Sequence, residues 1–524
     1  MSMAKKDNTV TEIQQVAREG SPRPGSVISF EKNVHQEAMF ELDDSVLTRK
    51  VQLVNEAMNE IGFTPYHFKL FCLNGMGYAA DSLLTLMHSV AQARINMEFN
   101  QSYSWVVTAD YLGLFAGALF WGFISDIIGR RMAFHITLFI TAIFAMATAG
   151  GMTYPAVCTL GALSYFGAGG NLVLDSVTFL EFLPYNKQWM VTCMAFWWGL
   201  GQLIPTGAAY GLIPPYSCES AEGCTMSQNM GWRYVYIVSG GAVLVAALLR
   251  IFVIRMCETP KHDIASGNDE RAIRTLDRVA ASANRTNPLT LEDLLACGTV
   301  KNDTSQKSFL QLINPMSAIV EFGKNSKGLF ATRKLTLSMF LNMLSWAITG
   351  LCFSLYSSFL PTFLETRGAD LGDGSLKTTF RDNLIVATGA IVGPLMATPL
   401  AIFWKRRLTL ATGAALTMTF MFAYTAVKTS AGNLGFNWAT NTFLNMYYGT
   451  LYAYTPEVMP SNHRSTGNGL AVSCGRVMSA IAPVIAFYGD ASSAVPIYVM
   501  AACFGVNAIV ALLFPFEPKG RNSM

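Results

Sequence analysis

Twelve apolar stretches, each close to the length that crosses a bilayer, dominate the sequence. A membrane helix needs about 20 mostly apolar residues, and lipid offers no partner to backbone polar groups, so such stretches cross as helices. Only 14% of the residues are charged, whereas soluble domains have about 25%. The sequence therefore predicts an all-α polytopic membrane protein that is embedded in a lipid bilayer. The predicted helices, named spans 1 to 12, cover roughly 67–90, 105–124, 132–151, 155–179, 190–212, 233–255, 335–361, 383–403, 408–427, 435–456, 467–489 and 494–515.

Polar segments between the spans divide the chain into five parts. Before span 1, Val46, Val54 and Met58 recur at helical spacing, which predicts an amphipathic helix there. The predicted parts are a cytosolic N-terminal tail with this helix at 1–66, a six-helix bundle at 67–256, a cytosolic central loop at 257–333, a second six-helix bundle at 334–516, and a cytosolic tail at 517–524.

Lysine and arginine are concentrated in the loops on one side of the spans, where Arg130, Arg131 and Arg406 lie. Because cytosolic loops carry an excess of these residues, we expect both termini and the central loop to be cytosolic. We also expect the protein to lie in the plasma membrane. This topology places Cys218 and Cys224 outside, where a disulfide can persist. A separation of six residues closes only with suitable geometry, so the pair is a candidate and the free thiols are the alternative.

The two six-helix parts share an internal repeat. Glu457, at the end of span 10, lies 276 residues after Glu181, at the end of span 4. Arg406, after span 8, lies 276 residues after Arg130, after span 2. We therefore expect Arg130 and Arg406 each to approach the carboxylate of its own half, Glu181 and Glu457 respectively. Two landmarks with one offset indicate two related halves, and such halves rock about a solute bound between them near the midplane.

A charged motif joins spans 2 and 3, and it reads Gly122-Phe-Ile-Ser-Asp126-Ile-Ile-Gly129-Arg130-Arg131. Gly122 allows two helices to approach closely, and Gly129 allows a tight turn. Asp126 and Arg130 can form charge-assisted bonds across the cytosolic face, which would hold that face closed. The alternative is a basic anchor at a helix end.

With this motif, the sequence resembles the major facilitator superfamily, whose loop between helices 2 and 3 has the form G-x-x-x-D-x-x-G-R-R/K. Glu181–Pro184 and Pro456–Arg464 resemble elements of its sugar-porter branch, and Gly77–Asp81 is similar to the synaptic-vesicle-type and fungal transporters. The resemblance covers about residues 45–520. It implies the major facilitator fold of twelve helices in two halves. The cytosolic gate that it implies comprises Gly122, Asp126, Gly129, Arg130, Arg131, Glu181, Arg406, Glu457 and Arg464.

Two departures weaken an assignment to sugars. The sugar-porter branch usually has an arginine early in helix 4, where this chain reads Gly161-Ala162-Leu163. The glutamine pair that grips a hexose in helix 7 is missing from Leu341–Trp346.

Ionisable residues inside the spans are candidates for coupling transport to protons. Such groups are costly in lipid and usually face a cavity or a partner. Asp81, Asp175 and Arg476 lie well inside spans 1, 4 and 11, and Arg476 is taken as the lone cation in the middle of a span. Asp110 lies in the outer part of span 2, where simple solvation is the alternative. For the other three, the alternative is a structural pair between helices.

Polar and aromatic residues within the spans form a predicted cavity lining. Their alternative role is in helix packing or in the aromatic belts at the membrane surfaces. The candidates are Asn171, Trp198, Gln202, Asn342, Trp346, Asn445 and Tyr448.

These features predict a secondary active transporter of a small polar or anionic organic solute, coupled to protons and acting as a monomer. A facilitator or exporter of the same fold, and a sensor or receptor that does not transport, are the alternatives. The sequence contains no metal-ligand cluster, nucleophile constellation or nucleotide loop, so neither an enzyme nor a cofactor is expected. A net charge of +3 predicts no nucleic-acid partner.

Overall fold

The computed structural model describes residues 45–101, 103–128, 130–218, 223–252, 257–299, 328–370, 375–459, 464–488 and 495–518. Its helices are α1 Ser45–Ile61, α2 Pro65–Glu98, α3 Trp105–Ile128, α4 Arg130–Ala149, α5 Tyr154–Phe182, α6 Met190–Met194, α7 Phe196–Tyr216, α8 Gly231–Phe252, α9 Pro260–Ala265, α10 Asp269–Ala281, α11 Leu291–Ala296, α12 Arg333–Asp370, α13 Leu376–Phe403, α14 Arg406–Tyr424, α15 Ser430–Glu457, α16 Arg464–Tyr488 and α17 Val495–Leu513.

Twelve of these described helices coincide with the predicted spans: α2 to α5, α7, α8, and α12 to α17. Eight of the twelve are long and apolar enough to cross a membrane by length and composition alone. Helices α2, α7, α14 and α15 fall outside that group. In α2 and α15 the reason is visible, because both helices bury ionisable or amide side chains inside the protein.

The two halves repeat one packing pattern. In the first half α3 packs on α5, α2 on α7, and α4 on α8; in the second α13 packs on α15, α12 on α16, and α14 on α17. The halves meet through α3 against α16 and α7 against α13, which are again equivalent pairs. The packing of the helices thus follows the internal repeat of the sequence.

The observed helices differ from the predicted boundaries in three places. Helix α12 continues to Asp370 and α13 begins at Leu376, because polar residues extend these helices beyond their apolar parts. The predicted span 5 is broken at Ala195, which separates α6 from α7. The predicted central loop contains the helices α9, α10 and α11.

We call the end of the bundle that carries Arg406 and Glu457 the motif face, and the end that carries Cys218 and Cys224 the disulfide face. At the motif face, the amphipathic helix predicted from the sequence is α1, which buries Val54, Met58 and Ile61.

Helix α1 is tied to two neighbours at the motif face. The Lys50 ammonium lies 2.6 Å from an Asp269 carboxylate oxygen on α10. The side-chain oxygen of Asn59 accepts from the backbone N–H of Tyr185, just after α5, at 2.7 Å. The helix is thereby fixed to the segment that connects α5 with α7.

At the disulfide face, Cys218 and Cys224 are joined by a disulfide. Glu98, at the end of α2, accepts two bonds of 2.7 Å from the Arg233 guanidinium on α8. Arg94 donates to the backbone carbonyl of Cys218 at 2.8 Å. These contacts hold the ends of α2 and α8 and the disulfide loop together.

Candidate functional site

A buried acid–base pair joins the two halves at the centre of the bundle. A guanidinium nitrogen of Arg476 on α16 lies 3.5 Å from a carboxylate oxygen of Asp81 on α2. Asp81 is 1% exposed and Arg476 is 3% exposed. The contact spans the boundary between the halves, so any movement of one half against the other changes it.

Aromatic rings surround this pair. The Tyr452 hydroxyl accepts from Arg476 at 3.2 Å. The ring centroids of Trp346 and Tyr452 are 4.5 Å apart, and those of Trp198 and Tyr448 are 5.4 Å apart. Both halves contribute to this group, which we call the aromatic cluster: Tyr78, Trp198, Trp346, Phe353, Tyr448 and Tyr452.

Three polar atoms in this centre have no hydrogen-bond partner among the described residues. They are Nε of Arg476, Nε1 of Trp198 and Oδ2 of Asp81, the oxygen that forms the 3.5 Å ion pair with Arg476. Nearly all buried polar groups in proteins are hydrogen-bonded, so such atoms call for an explanation. Two of the three are donors, and a bound solute with acceptor oxygens would satisfy them.

A short polar chain extends the centre toward the motif face. The Trp346 indole donates to the Thr455 hydroxyl at 2.9 Å, and this hydroxyl lies 3.3 Å from the side-chain oxygen of Asn342. Four of the seven predicted lining residues therefore share one region of the structure: Trp198, Asn342, Trp346 and Tyr448.

The other three lining candidates are buried as well. Asn171 accepts from the Thr137 hydroxyl on α4 at 2.6 Å. Asn445 donates to the backbone carbonyl of Asn441 at 2.8 Å, one turn away on α15. Gln202 is buried one turn beyond Trp198 on α7.

A second buried pair lies within the first half. The Arg250 guanidinium on α8 is 3.1 Å from Asp175 on α5, and neither side chain is exposed. Arg250 also donates to the backbone carbonyls of Leu73 and Phe134, at 3.2 Å each. Gly77 on α2 is required here, because an added Cβ would lie 1.6 Å from an Asp175 oxygen.

This pair adds a buried cation that the sequence analysis did not consider, because Arg250 lies near the end of its helix and not in the middle of a span. Arg250 lies in the last turn of α8, where a long cationic side chain often reaches the membrane surface. The structure turns it inward to Asp175 instead. The carboxylate of Asp175 in span 4 was the available signal for a buried partner.

Asp110 is buried as well, so the solvated alternative is wrong. It is 1% exposed, and its Oδ2 lies 2.8 Å from Nδ1 of His88 on α2. His88 lies inside the predicted span 1 and was missed because its partner belongs to a different helix.

At the motif face, Arg406 makes the contact that the shared 276-residue offset predicts. Its guanidinium bonds Glu457 at 2.5 and 3.1 Å. It also crosses to the first half, where it donates to the Thr192 hydroxyl and, at 3.5 Å, to the backbone carbonyl of Gln188. One side chain thus joins both halves at this face.

A second symmetric feature explains the acidic residues that follow spans 6 and 12. Glu258 accepts from the backbone N–H of Arg131 at 3.2 Å, at the start of α4. Glu517 accepts from the backbone N–H of Arg406 at 2.9 Å, at the start of α14. Each carboxylate satisfies a free N–H group at a helix N-terminus, where the helix dipole favours negative charge.

The remaining gate candidates are placed in part. Gly122 is buried on α3, Glu181 is buried on the last turn of α5, and Arg464 begins α16 and donates to the Met459 carbonyl at 3.4 Å. Gly129 and the side chains of Asp126 and Arg130 lie outside the described residues.

Twelve spanning helices in two equivalent halves around a buried charged centre have the architecture of a secondary transporter. The family model of the Major Facilitator Superfamily matches residues 70–483. The chain therefore belongs to this superfamily, and it is a multi-pass membrane transporter.

Named relatives agree with this placement. Over 490 residues the chain is 39% identical to the MFS siderochrome iron transporter 1 of Ceriporiopsis subvermispora, an alignment that covers 92% of this chain and 93% of the relative. Over 486 residues it is 24% identical to the synaptic vesicle 2-related protein of Rattus norvegicus, which covers 90% and 82%. The resemblance to the synaptic-vesicle-type and fungal branch is thereby confirmed. A solved structure of the proton:xylose symporter XylE superposes with a TM-score of 0.66 at 17% identity, over 87% of this chain and 98% of XylE, which confirms the fold.

Proposed function

We propose that this protein is a proton-coupled secondary transporter of a small organic anion. The observation that carries the proposal is the Asp81–Arg476 pair, which bridges the two halves inside the aromatic cluster. The unsatisfied donors of Arg476 and Trp198 favour a solute with acceptor oxygens, and the rings favour an apolar body.

The coupling follows from charge balance in a buried site. An ion pair of Asp81 and Arg476 is neutral, and a buried carboxylate whose cation is withdrawn is strongly unfavourable. A carboxylate solute that bonds Arg476 withdraws the cation, so Asp81 binds a proton and the site is neutral again. Release of the solute on the other side returns Arg476 to Asp81 and expels the proton.

The motif face acts as the gate of this cycle. Arg406 contacts Glu457 in its own half and Thr192 in the other half, so opening this face breaks the contacts across the halves. By the internal repeat, Arg130 would approach Glu181 in the same way, with Asp126, Gly129 and Arg131 completing the motif.

We propose that the motif face is cytosolic, with both termini, and that the protein acts as a monomer in the plasma membrane. Thiol labelling of intact cells tests the topology. After reduction, an impermeant reagent should label Cys218 and spare Cys297, which follows α11. Labelling of Cys297 alone would reverse the topology.

A second candidate solute is a ferric siderochrome. The relative from Ceriporiopsis subvermispora is named as a siderochrome iron transporter, and the alignment covers nearly all of both chains. The close ring contacts of the aromatic cluster favour the smaller solute, because a bulky chelate would have to separate Trp346 from Tyr452.

A thermal-shift screen of the purified protein distinguishes these candidates. A ligand present at about 100 times its Kd stabilises the native state by about 2.7 kcal/mol, which raises Tm measurably. Aromatic and aliphatic monocarboxylates should raise Tm in wild type and not in Arg476→Met, while neutral sugars should have no effect. A shift produced only by ferric hydroxamate chelates would favour the siderochrome. An equal response to carboxylates in Arg476→Met would contradict the anion proposal.

A further inference from the structure

The His88–Asp110 pair lies in the membrane part of the first half and takes no part in the cycle described above. The two side chains meet at 2.8 Å, and they come from α2 and α3. His88 is 3% exposed and Asp110 is 1% exposed. A carboxylate and an imidazole at this distance can share a proton, and histidine changes charge near neutral pH.

The titratable groups around the pair are tyrosines and one cysteine. Tyr236 on α8 places its hydroxyl 3.3 Å from Nδ1 of His88. Gly161 on α5 confines the carboxylate, because an added Cβ would lie 2.4 Å from Oδ1 of Asp110. The other titratable groups that face Asp110 all belong to α5, and they are Tyr154, Cys158 and Tyr165.

Among the described residues, no lysine or arginine forms an ion pair with Asp110, and neither Nε2 of His88 nor the two carboxylate oxygens of Asp110 have a hydrogen-bond partner, so the 2.8 Å contact joins the pair as an ion pair. Arg233 lies on the same helix as Tyr236, but its guanidinium is held by Glu98 at 2.7 Å. Within the described residues, His88 is therefore the basic group that contacts the Asp110 carboxylate. With one proton the pair is neutral, and without that proton it carries one negative charge.

The pair lies between the disulfide face and Asp81. His88 follows Asp81 by two turns of α2, on the same side of the helix, which is a rise of about 10 Å. Tyr165 bridges this interval, because its hydroxyl donates to the backbone carbonyl of Leu84 at 2.7 Å. The rings of Tyr165 and Tyr111 make an edge-to-face contact, with a centroid distance of 6.5 Å.

We propose that His88 and Asp110 form a second proton-binding site, which exchanges its proton with Asp81 from the disulfide face. The inference rests on the proposed coupling through Asp81 and adds the group that supplies the proton. In the exchange, one N–H or O–H bond breaks in the pair and one O–H bond forms at Asp81. The His88–Asp110 pair changes from neutral to one negative charge, the Asp81–Arg476 pair changes from neutral to one positive charge, and no other reactant is needed.

The proton itself is the probe for a test. Purified full-length protein in liposomes, without any solute, is titrated between about pH 4 and about pH 9, a range that brackets the reference pKa values of aspartate and histidine. Infrared difference spectra then report each carboxyl group that gains a proton. We expect one component that disappears in Asp110→Asn and another that disappears in Asp81→Asn.

His88→Gln should shift the midpoint of the Asp110 component by about one pH unit or more, which is a tenfold change in proton affinity. His135→Gln, which removes a half-buried histidine of α4, is the matched control and should leave this midpoint in place. The second-site proposal is wrong if Asp110→Asn leaves the spectrum unchanged, or if His88→Gln and His135→Gln behave alike.

The two proposals fail in distinguishable ways. If Asp110→Asn removes an infrared component and Asp81→Asn removes none, coupling through Asp81 is wrong, but the proton site at the His88–Asp110 pair remains. Should Asp110→Asn not fold, ¹⁵N-histidine NMR of the wild type gives the second readout, with His88 assigned from the resonance that His88→Gln removes. A titrating His88 ring supports the site, and a ring that keeps one protonation state over the whole range contradicts it.

Discussion

Two buried aspartate–arginine pairs lie close together in this protein, and their surroundings differ. Asp175 and Arg250 belong to one half, and Arg250 also bonds two backbone carbonyls. Asp81 and Arg476 belong to different halves and are 3.5 Å apart, and Nε of Arg476 has no hydrogen-bond partner among the described residues. The protein therefore satisfies the hydrogen-bond donors of Arg250, whereas Arg476 keeps a donor that a bound solute can satisfy.

This difference separates a structural role from a transport role. A buried ion pair contributes little net stability, but the loss of one partner is costly. A saturated pair inside one half moves with that half and has no reason to exchange its partner. The incomplete pair between the halves is the one whose partner can be replaced during a transport cycle.

The largest effect should follow from Arg250→Met. It leaves Asp175 without its cation in a site that is not exposed to solvent, which costs about 3–5 kcal/mol. We expect most of the protein to be lost from the monodisperse peak in fluorescence-detected size-exclusion chromatography. Arg476→Met is the matched control and should retain most of its peak, because in the proposed cycle Asp81 binds a proton when Arg476 is withdrawn. Equal losses would remove the distinction between the two pairs.

A tenfold or larger loss of turnover should follow from Arg406→Gln. Arg406 joins Glu457 to Thr192 across the halves. If this contact stabilises the closed motif face by about 1.4 kcal/mol, its loss corresponds to a factor of ten in turnover. Ligand-induced Tm shifts should persist in this variant, because the central site is intact. Arg407→Gln, one residue along, should transport at close to the wild-type rate. Wild-type turnover by Arg406→Gln would show that this contact does not gate transport.

A smaller effect should follow from Tyr452→Phe. The substitution keeps the ring against Trp346 and removes the hydroxyl that accepts from Arg476. The loss of about 1 kcal/mol corresponds to roughly fivefold weaker binding of the solute. Tyr356→Phe, which loses a bond to the Asn437 carbonyl on α15, is the control and should bind normally. Solute binding by the two variants is compared by measuring Tm at increasing solute concentrations.

The smallest effect concerns Asp263 on α9, a buried carboxylate outside the membrane whose partner Arg271 is exposed and 3.9 Å away. Burial raises the pKa of Asp263 to about 6, and Arg271 offsets part of this rise. The native pKa lies above that of the unfolded chain, so this group stabilises the native state as the pH falls through about 6. Asp263→Asn should therefore have the higher Tm at alkaline pH, with a difference that shrinks on acidification. A difference that grows on acidification would contradict this assignment.

Much of this architecture could be predicted from sequence because its causes are local or repeated. Apolar length placed the twelve helices, and the shared offset predicted that Arg406 would meet Glu457. The amphipathic pattern before span 1 predicted α1.

Pairings between distant helices could not be predicted in this way. Nothing in the local pattern distinguishes Asp81, which meets a cation of the other half, from Asp175, which meets one of its own half. Amide side chains show the same limit. Asn342 joins the central region through Thr455, whereas Asn171 bonds Thr137 between α4 and α5.

Transport by Asp81→Asn, reconstituted in liposomes with an acidic exterior, tests the central claim most directly. The solute is a carboxylate selected by its Tm shift, and Asp263→Asn is the control that removes a carboxylate outside the membrane. Because the Asn side chain stays neutral, the account predicts that Asp81→Asn no longer concentrates the solute but still exchanges it across the membrane at a rate close to that of wild type. Accumulation at the wild-type level in response to the pH gradient would contradict the account.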